Sequence, residues 1–174
     1  MSANITIIEP TFADFPSALR DGALMAPIRR MYAIGNQNIL KKRLPGFFCS
    51  IKCFDKVILR TYDLAQSLCS TGIPIIGEFH SSMGKECLNV LLCGAQPVVI
   101  CPAHGIDRIR LPETWRNPLA ENLLLVLSPF EAQYRRPTAS LAEQRNRFTA
   151  SLAESVFVSH APLGVIRTGF VRRS

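Results

Sequence analysis

The sequence predicts an α/β fold in three layers, with a mainly parallel sheet of five or so strands between two layers of helices and a short helical N-terminal extension. Three observations carry that reading. From Gly46 onward, short apolar runs alternate with helix-period segments, the pattern of βαβ units. The runs are continuously apolar, as strands covered on both faces require. Turn and cap residues punctuate the boundaries between them. The size agrees: 174 residues, 48% hydrophobic and 19% charged, is an ordinary globular composition for one domain.

The elements come in order along the chain. Residues 1–45 read as an extension in which 11–20 form one amphipathic helix, with Phe12, Phe15 and Leu19 on one side. Gly22 and Pro27 punctuate the segment after that helix. Lys41, Lys42 and Arg43 mark a solvated boundary before Pro45 and Gly46. The main domain spans 46–162, and 163–174 reads as an irregular or truncated tail. Strands are expected at 46–50, 73–77, 97–101, 123–127 and 156–159. Between the first two, Val57, Thr61, Leu64, Ala65 and Leu68 line one helical face, with Asp55 placed to cap its start and Gly72 to end it. A second helix, 83–94, turns Cys87, Val90, Leu91 and Gly94 inward. A third covers 112–121, where Trp115 reads as a packing anchor. The last, 140–154, opens on Ser140-Leu-Ala-Glu143, a capping-box pattern, and faces the sheet with Leu141, Phe148 and Leu152. The whole is a Rossmann-like α/β/α arrangement.

Several function classes drop out. The sequence has no G-x-G-x-x-G fingerprint, no G-x-x-x-x-G-K-[ST] loop, no H-E-x-x-H and no G-x-S-x-G elbow. Residues 1–10 lack a basic stretch followed by an apolar core, so no secretory signal is read. The longest uncharged stretch, 87–106, is broken by Asn89, Gly94, Gln96, Pro97 and Pro102 into a helix, a turn and a strand, and is not a membrane span. Six cysteines sit in apolar segments without a C-x-x-C pair, as free thiols do in a reduced cytoplasm. Neither they nor the three histidines space out as a zinc site. A cytoplasmic protein without metal or cofactor is expected.

In such folds ligands bind where the carboxyl ends of strands lead into helix N-termini. Gly77-Glu-Phe-His80-Ser81-Ser82-Met-Gly84-Lys85 is such a junction. Its serines, glycine and lysine can gather N–H donors and a cation around an anion. The competing reading has Ser82 capping the helix and Lys85 solvated. Glu78 can serve as a general acid or base, although no second carboxylate is paired with it. The loop 49–53 contributes one hydroxyl, Ser50, and one cation, Lys52. On the last helix Arg145 lies beside the apolar stripe, where a guanidinium must pair or reach a ligand. Arg147 falls on the row of Glu143 and suits a surface i,i+4 pair. Upstream, Tyr134 with Arg135 and Arg136 suits base stacking plus phosphate contact, or a solvated loop.

Taken together, these segments resemble the Rossmann-like domain of the DNA processing protein A family (DprA, also called Smf), within the wider SLOG group of nucleotide-binding domains. The likeness covers roughly residues 30–160, closest to a short single-domain version of the family. Its pieces are Met31-Tyr-Ala-Ile-Gly35-Asn36, the strand–helix–Gly72–strand order ending in Ile76-Gly-Glu-Phe-His80-Ser81, Gly94 to Pro102, Leu127-Ser128-Pro129-Phe130, and Arg145-Asn146-Arg147 in a helix running into Val156-Phe-Val-Ser-His160. The family's Gly-Ser-Arg after the first strand is replaced by Cys49-Ser50-Ile51.

The resemblance implies a non-enzymatic, homodimeric protein that binds single-stranded DNA and helps load a RecA-type recombinase in natural transformation. By position it places Ser50 and Lys52 in a first phosphate-facing loop, Gly77, His80, Ser81 and Lys85 in a second, and Arg145, Asn146 and Arg147 in the family's Arg-Asn-Arg motif. The alternative is a SLOG-type nucleotide-binding protein or an enzyme like the nucleoside-monophosphate phosphoribohydrolases, whose Pro-Gly-Gly-x-Gly-Thr-x-x-Glu loop has no counterpart here. Charge supports a polyanionic partner: 20 lysines and arginines stand against 13 acids, a net charge of +7. Residues 133–174 hold seven of those cations and two acids, Glu143 and Glu154.

Overall fold

The computed structural model describes residues 4–11, 15–20, 27–49, 55–158 and 171–172. Along them run β1 (Thr6–Ile8), α1 (Ser17–Arg20), β2 (Met31–Gly35), β3 (Pro45–Phe48), α2 (Asp55–Leu68), β4 (Ile75–Gly77), α3 (Ser82–Leu92), β5 (Val98–Ile100), α4 (Arg116–Ala120), β6 (Leu124–Ser128), α5 (Ala139–Leu152), β7 (Ser155–Val158) and β8 (Val171–Arg172). Two 3-10 turns, Gln37–Lys41 and Glu113–Trp115, complete the order. One sheet holds all the strands in the order β1-β2-β6-β5-β4-β3-β7-β8. Its centre, β6-β5-β4-β3-β7, is parallel throughout, and these are the five strands the sequence predicts.

Side chains alternate across that centre with the period of two that a pleated strand imposes. Ile75, Val98, Ile100 and Leu124 pack on one face with Ala65 of α2 and Cys87 and Leu91 of α3. Ile76, Val99, Leu125 and Leu127 pack on the other with Phe148 of α5 and Leu19 of α1. Each fully buried Leu, Ile or Val contributes about 1.5–3 kcal/mol by leaving water, so the two apolar layers hold the helices against the sheet. Trp115 anchors the third helical segment, packing against both the β4–β5 side and the cluster of Ile34, Ile106 and Val126.

The N-terminal region differs from the helical extension expected of it. Within 15–20 only Ser17–Arg20 is helical, while β1 and β2 pair antiparallel with each other and β2 pairs antiparallel with β6. Ile8, Phe15, Leu19, Met31 and Ala33 are buried in the same core as Phe148. The physical reason is that a five-residue apolar run such as Met31–Gly35 has no period that separates strand from helix; the exposed edge of β6 decides it. Gly35, at φ +103, turns the chain out of β2 where a Cβ would overlap the Leu124 carbonyl. Asn36 then caps the 3-10 turn through Asn38 N and donates to the Asn122 carbonyl at 2.9 Å. At the opposite edge, Val171–Arg172 pairs antiparallel with β7, so two residues of the expected irregular tail lie on a strand.

Two helix starts are also corrected. Ser81, not Ser82, caps α3, its Oγ accepting from Gly84 N at 3.0 Å. Thr138 caps α5 by accepting from Leu141 N at 3.2 Å, two residues before the Ser140 expected from the capping-box pattern. Gly72, at φ +67, follows α2 as predicted. The predicted Asp55 cap, Ser50, Lys52, Phe12, Ser159 and His160 have side chains outside the described residues. No helix among the described residues is long and apolar enough to cross a membrane.

Candidate functional site

At the carboxyl ends of β4 and β5 a polar cluster is built around one buried cation. The inward stripe of α5 contains Leu141, Arg145, Phe148 and Thr149, so Arg145 enters the interior between apolar neighbours and is 1% exposed. Its Nη2 lies 3.0 Å from Glu78 Oε2, and the carboxylate is itself buried. Nη1 donates to the Cys101 carbonyl at 3.3 Å, just past β5. Nε donates to Asn146 Oδ1 at 2.7 Å. One side chain thus ties α5 to the ends of two strands.

His80 closes the cluster on its solvent side. Its Nδ1 is 3.0 Å from Glu78 Oε2 and 3.3 Å from Arg145 Nη2. A bare Nδ1 can accept from the guanidinium, and toward the carboxylate the ring makes an ion contact. Both ion contacts to Glu78 Oε2 lie off the hydrogen-bonding line, which leaves that oxygen without a well-directed hydrogen bond among the described residues. Burial pulls the Arg145 guanidinium down from its ordinary pKa, and the Glu78 charge opposes the shift. Burial likewise pushes the Cys101 thiol up to about 12, against smaller opposing effects of Thr149 and Arg145.

The loop that presents His80 is held under strain. Phe79, between Glu78 and His80, sits at φ +50, a left-handed conformation rare for a bulky residue. Its buried ring stacks on Phe47 at 6.1 Å. Gly77 and Gly84 make this possible: a Cβ on Gly77 would come 2.7 Å from the Phe47 carbonyl, and one on Gly84 3.1 Å from Phe79 Cα. Strain of this kind costs about 1–3 kcal/mol and persists where the surroundings enforce it, characteristically at binding loops.

The structure sorts the residues singled out from sequence. It brings His80, Ser81, Arg145 and Asn146 to one place, with Glu78 and the Cys101 carbonyl. Arg145 points inward, so its donors serve the protein and the sequence's first alternative, pairing, is the observed one. Gly77 is buried against β3, and the Ser81 hydroxyl is occupied as a cap. Lys85 is exposed in the first turn of α3, and Arg147 is exposed and paired with Glu143 at 2.5 Å. Glu78, weighed as an acid or base, is the counter-ion of Arg145. Its role was hidden because the partners stand 67 positions apart in sequence and meet only through the crossover of α5.

No family model matches the sequence, and no curated protein does. Solved structures do share the fold. DNA processing protein A (DprA) from Streptococcus pneumoniae superposes with a TM-score of 0.68 at 17% identity, over 89% of this chain and 54% of that one. DNA processing protein A from Helicobacter pylori, described for its single-stranded DNA binding mode, superposes with a TM-score of 0.68 at 18% identity, over 90% of this chain and 69% of that one. The chain therefore spans about half the length of the pneumococcal protein. At these identities the likeness establishes architecture: over about nine-tenths of its length this chain has the α/β fold of the DNA processing protein A structures.

Proposed function

We propose that this protein binds single-stranded DNA along the carboxyl ends of its parallel strands, without catalysing a reaction on it. The observation that carries this reading is the shared fold with the H. pylori protein across 90% of the chain. The net charge of +7 supports it, because neutralising phosphates is the dominant sequence-independent source of affinity. His80, Lys85, Asn146 and Arg147, with Ser50 and Lys52 from the sequence just after β3, are the residues proposed to face the strand, while buried Ser81 shapes the loop as the cap of α3. Arg145 is proposed to act through them, holding Asn146 and His80 in register. A cytoplasmic homodimer that helps load a RecA-type recombinase in natural transformation is the cellular form of the same proposal.

Fluorescence anisotropy with a labelled oligo-dT, titrated at two salt concentrations, tests it. Binding whose log-affinity falls steeply with log salt is expected, and Lys85→Ala should reduce the slope by about one phosphate's share. Absence of binding at low salt sinks the proposal.

A further inference from the structure

We propose that the turn carrying Tyr134, Arg135 and Arg136 is a second nucleic-acid subsite, in which one unpaired base stacks on the Tyr134 ring while the two arginines hold the flanking phosphates. The inference rests on the single-stranded DNA reading and extends it to a rim that the polar cluster around Arg145 does not include.

The geometry distinguishes this turn from a solvated loop. Tyr134 is 42% exposed, yet its backbone is fixed at both polar groups: its N–H donates to the Glu131 carbonyl at 3.0 Å and its carbonyl accepts from Gly105 N at 2.8 Å. The second bond ties the turn to the loop after β5. It needs a glycine, since a Cβ at position 105 would come 2.5 Å from the Glu131 carbonyl. The Tyr134 ring stands edge-on to Phe130 with centroids 6.1 Å apart. Phe130 is buried with Ala103 and Leu141, so it rests on the loop after β5 and the first turn of α5. An exposed aromatic on a rigid, hydrogen-bonded support loses little conformational freedom when a base covers it.

Chemistry and position agree. Arg135 and Arg136 are exposed, on the same turn, and form no ion pair with any of the described residues. Interleaved aromatic and cationic side chains are the elements of sequence-tolerant single-strand binding, the ring taking a base face and the guanidinium groups the backbone. The turn comes after β6, and β6 is separated from β4 by β5 alone. The ends of β4 and β6 are thus two strand spacings, about 10 Å, apart, so the loops carrying His80 and Tyr134 rise from the same edge of the sheet.

The test measures anisotropy of the full chain with oligo-dT and with an abasic oligonucleotide of equal length. Tyr134→Ala and Tyr134→Leu should weaken oligo-dT binding about 5- to 100-fold, leave the salt slope unchanged, and leave abasic binding unchanged; Tyr134→Phe should bind as wild type. Arg135→Ala and Arg136→Ala should each lower the salt slope by about one, on both ligands. Tyr134→Leu keeps an apolar group on Phe130, which guards against a mere folding defect. If wild type binds oligo-dT and the Tyr134 variants bind it equally well, the subsite is overturned and the general reading stands. If the Tyr134 variants weaken abasic binding as much as oligo-dT binding, stacking is overturned. If wild type binds neither ligand, the single-stranded DNA reading itself has failed.

Discussion

The two faces of the sheet are covered by helices of similar length but built on different chemistry. Under α2 and α3 the core is apolar and thiol-bearing: Ala65, Cys49, Cys87 and Leu91 against Ile75, Val98 and Leu124. Under α5 the same strands meet a helix whose buried side chains include Arg145, Thr149 and Ser151. Thr149 and Ser151 satisfy their hydroxyls on the carbonyls of Arg145 and Arg147, each at 2.9 Å. Arg145 requires partners from beyond its own helix: Glu78, His80 and the Cys101 carbonyl. A face that only packs can be apolar throughout, whereas a face that carries a charged group inward needs a network to hold it. That network lies at the carboxyl ends of the strands, the place where such folds bind ligands.

Breaking the network should have the largest effect. Arg145→Ala takes from the buried Glu78 carboxylate its guanidinium partner, leaving only half-exposed His80 beside it, and should destabilise by about 3–5 kcal/mol in urea unfolding. Replacing both partners, Arg145→Met with Glu78→Leu, should recover most of that loss, since a hydrophobic pair of similar volume has no charge to desolvate. A double variant no more stable than Arg145→Ala would refute the pairing as the cause. On the packing face, Leu91→Ala should lose about 2–5 kcal/mol through transfer and cavity effects. That loss should add to the loss from Arg145→Ala, because the sheet separates the two sites.

Cys101 sharpens the contrast through pH. Its folded pKa, pushed up to about 12, exceeds that of an unfolded thiol. The unfolded chain therefore releases its proton first as pH rises. This group's contribution to stability is intact below about pH 9 and declines between there and about 12, at up to about 1.4 kcal/mol per pH unit. Comparing the pH dependence of unfolding for wild type and Cys101→Ala isolates it: the variant's curve should fall less steeply above pH 9. Among the described cysteines, Cys93 is exposed and should react with a thiol reagent in the native state, while Cys49, Cys87 and Cys101 should react only on unfolding.

The caps should matter less. Ser81→Ala and Thr138→Ala each remove one N-cap acceptor, an expected loss of about 1 kcal/mol apiece in thermal or urea unfolding. Of the two, only Ser81→Ala touches the loop that presents His80, so only it should also weaken oligo-dT binding. The smallest effect belongs to Arg147→Ala, which breaks an exposed i,i+4 pair with Glu143 and should change stability by a few tenths of a kcal/mol. A large loss there would mean that Arg147 carries structure as Arg145 does.

Much of this architecture is legible along the chain because its causes are local. The five parallel strands announce themselves as apolar runs between turn residues, Gly72 as a glycine after a helical stripe, and Trp115 as a large ring in a short helix. The misplacements have local causes too. Ser81 and Ser82, or Thr138 and Ser140, offer neighbouring hydroxyls of similar capping power, and the direction in which the chain enters the helix selects between them. The strands β1 and β2 lay beyond sequence reasoning because each is short and takes its conformation from the edge it joins. Around Arg145, the sequence shows a guanidinium beside an apolar stripe that must find a partner, and the structure supplies Glu78 as that partner.

The amino-acid sequence by itself determined the layered α/β class, the helix faces that are buried, and where the parallel strands end, since period and turn chemistry act over a few residues. Only the tertiary structure decided that Arg145 faces inward onto Glu78, that His80 is left at the surface, and that Tyr134 stands on a rigid support tied to Gly105. Those outcomes depend on groups 29 to 67 positions apart, brought together by crossovers whose contacts no local pattern encodes.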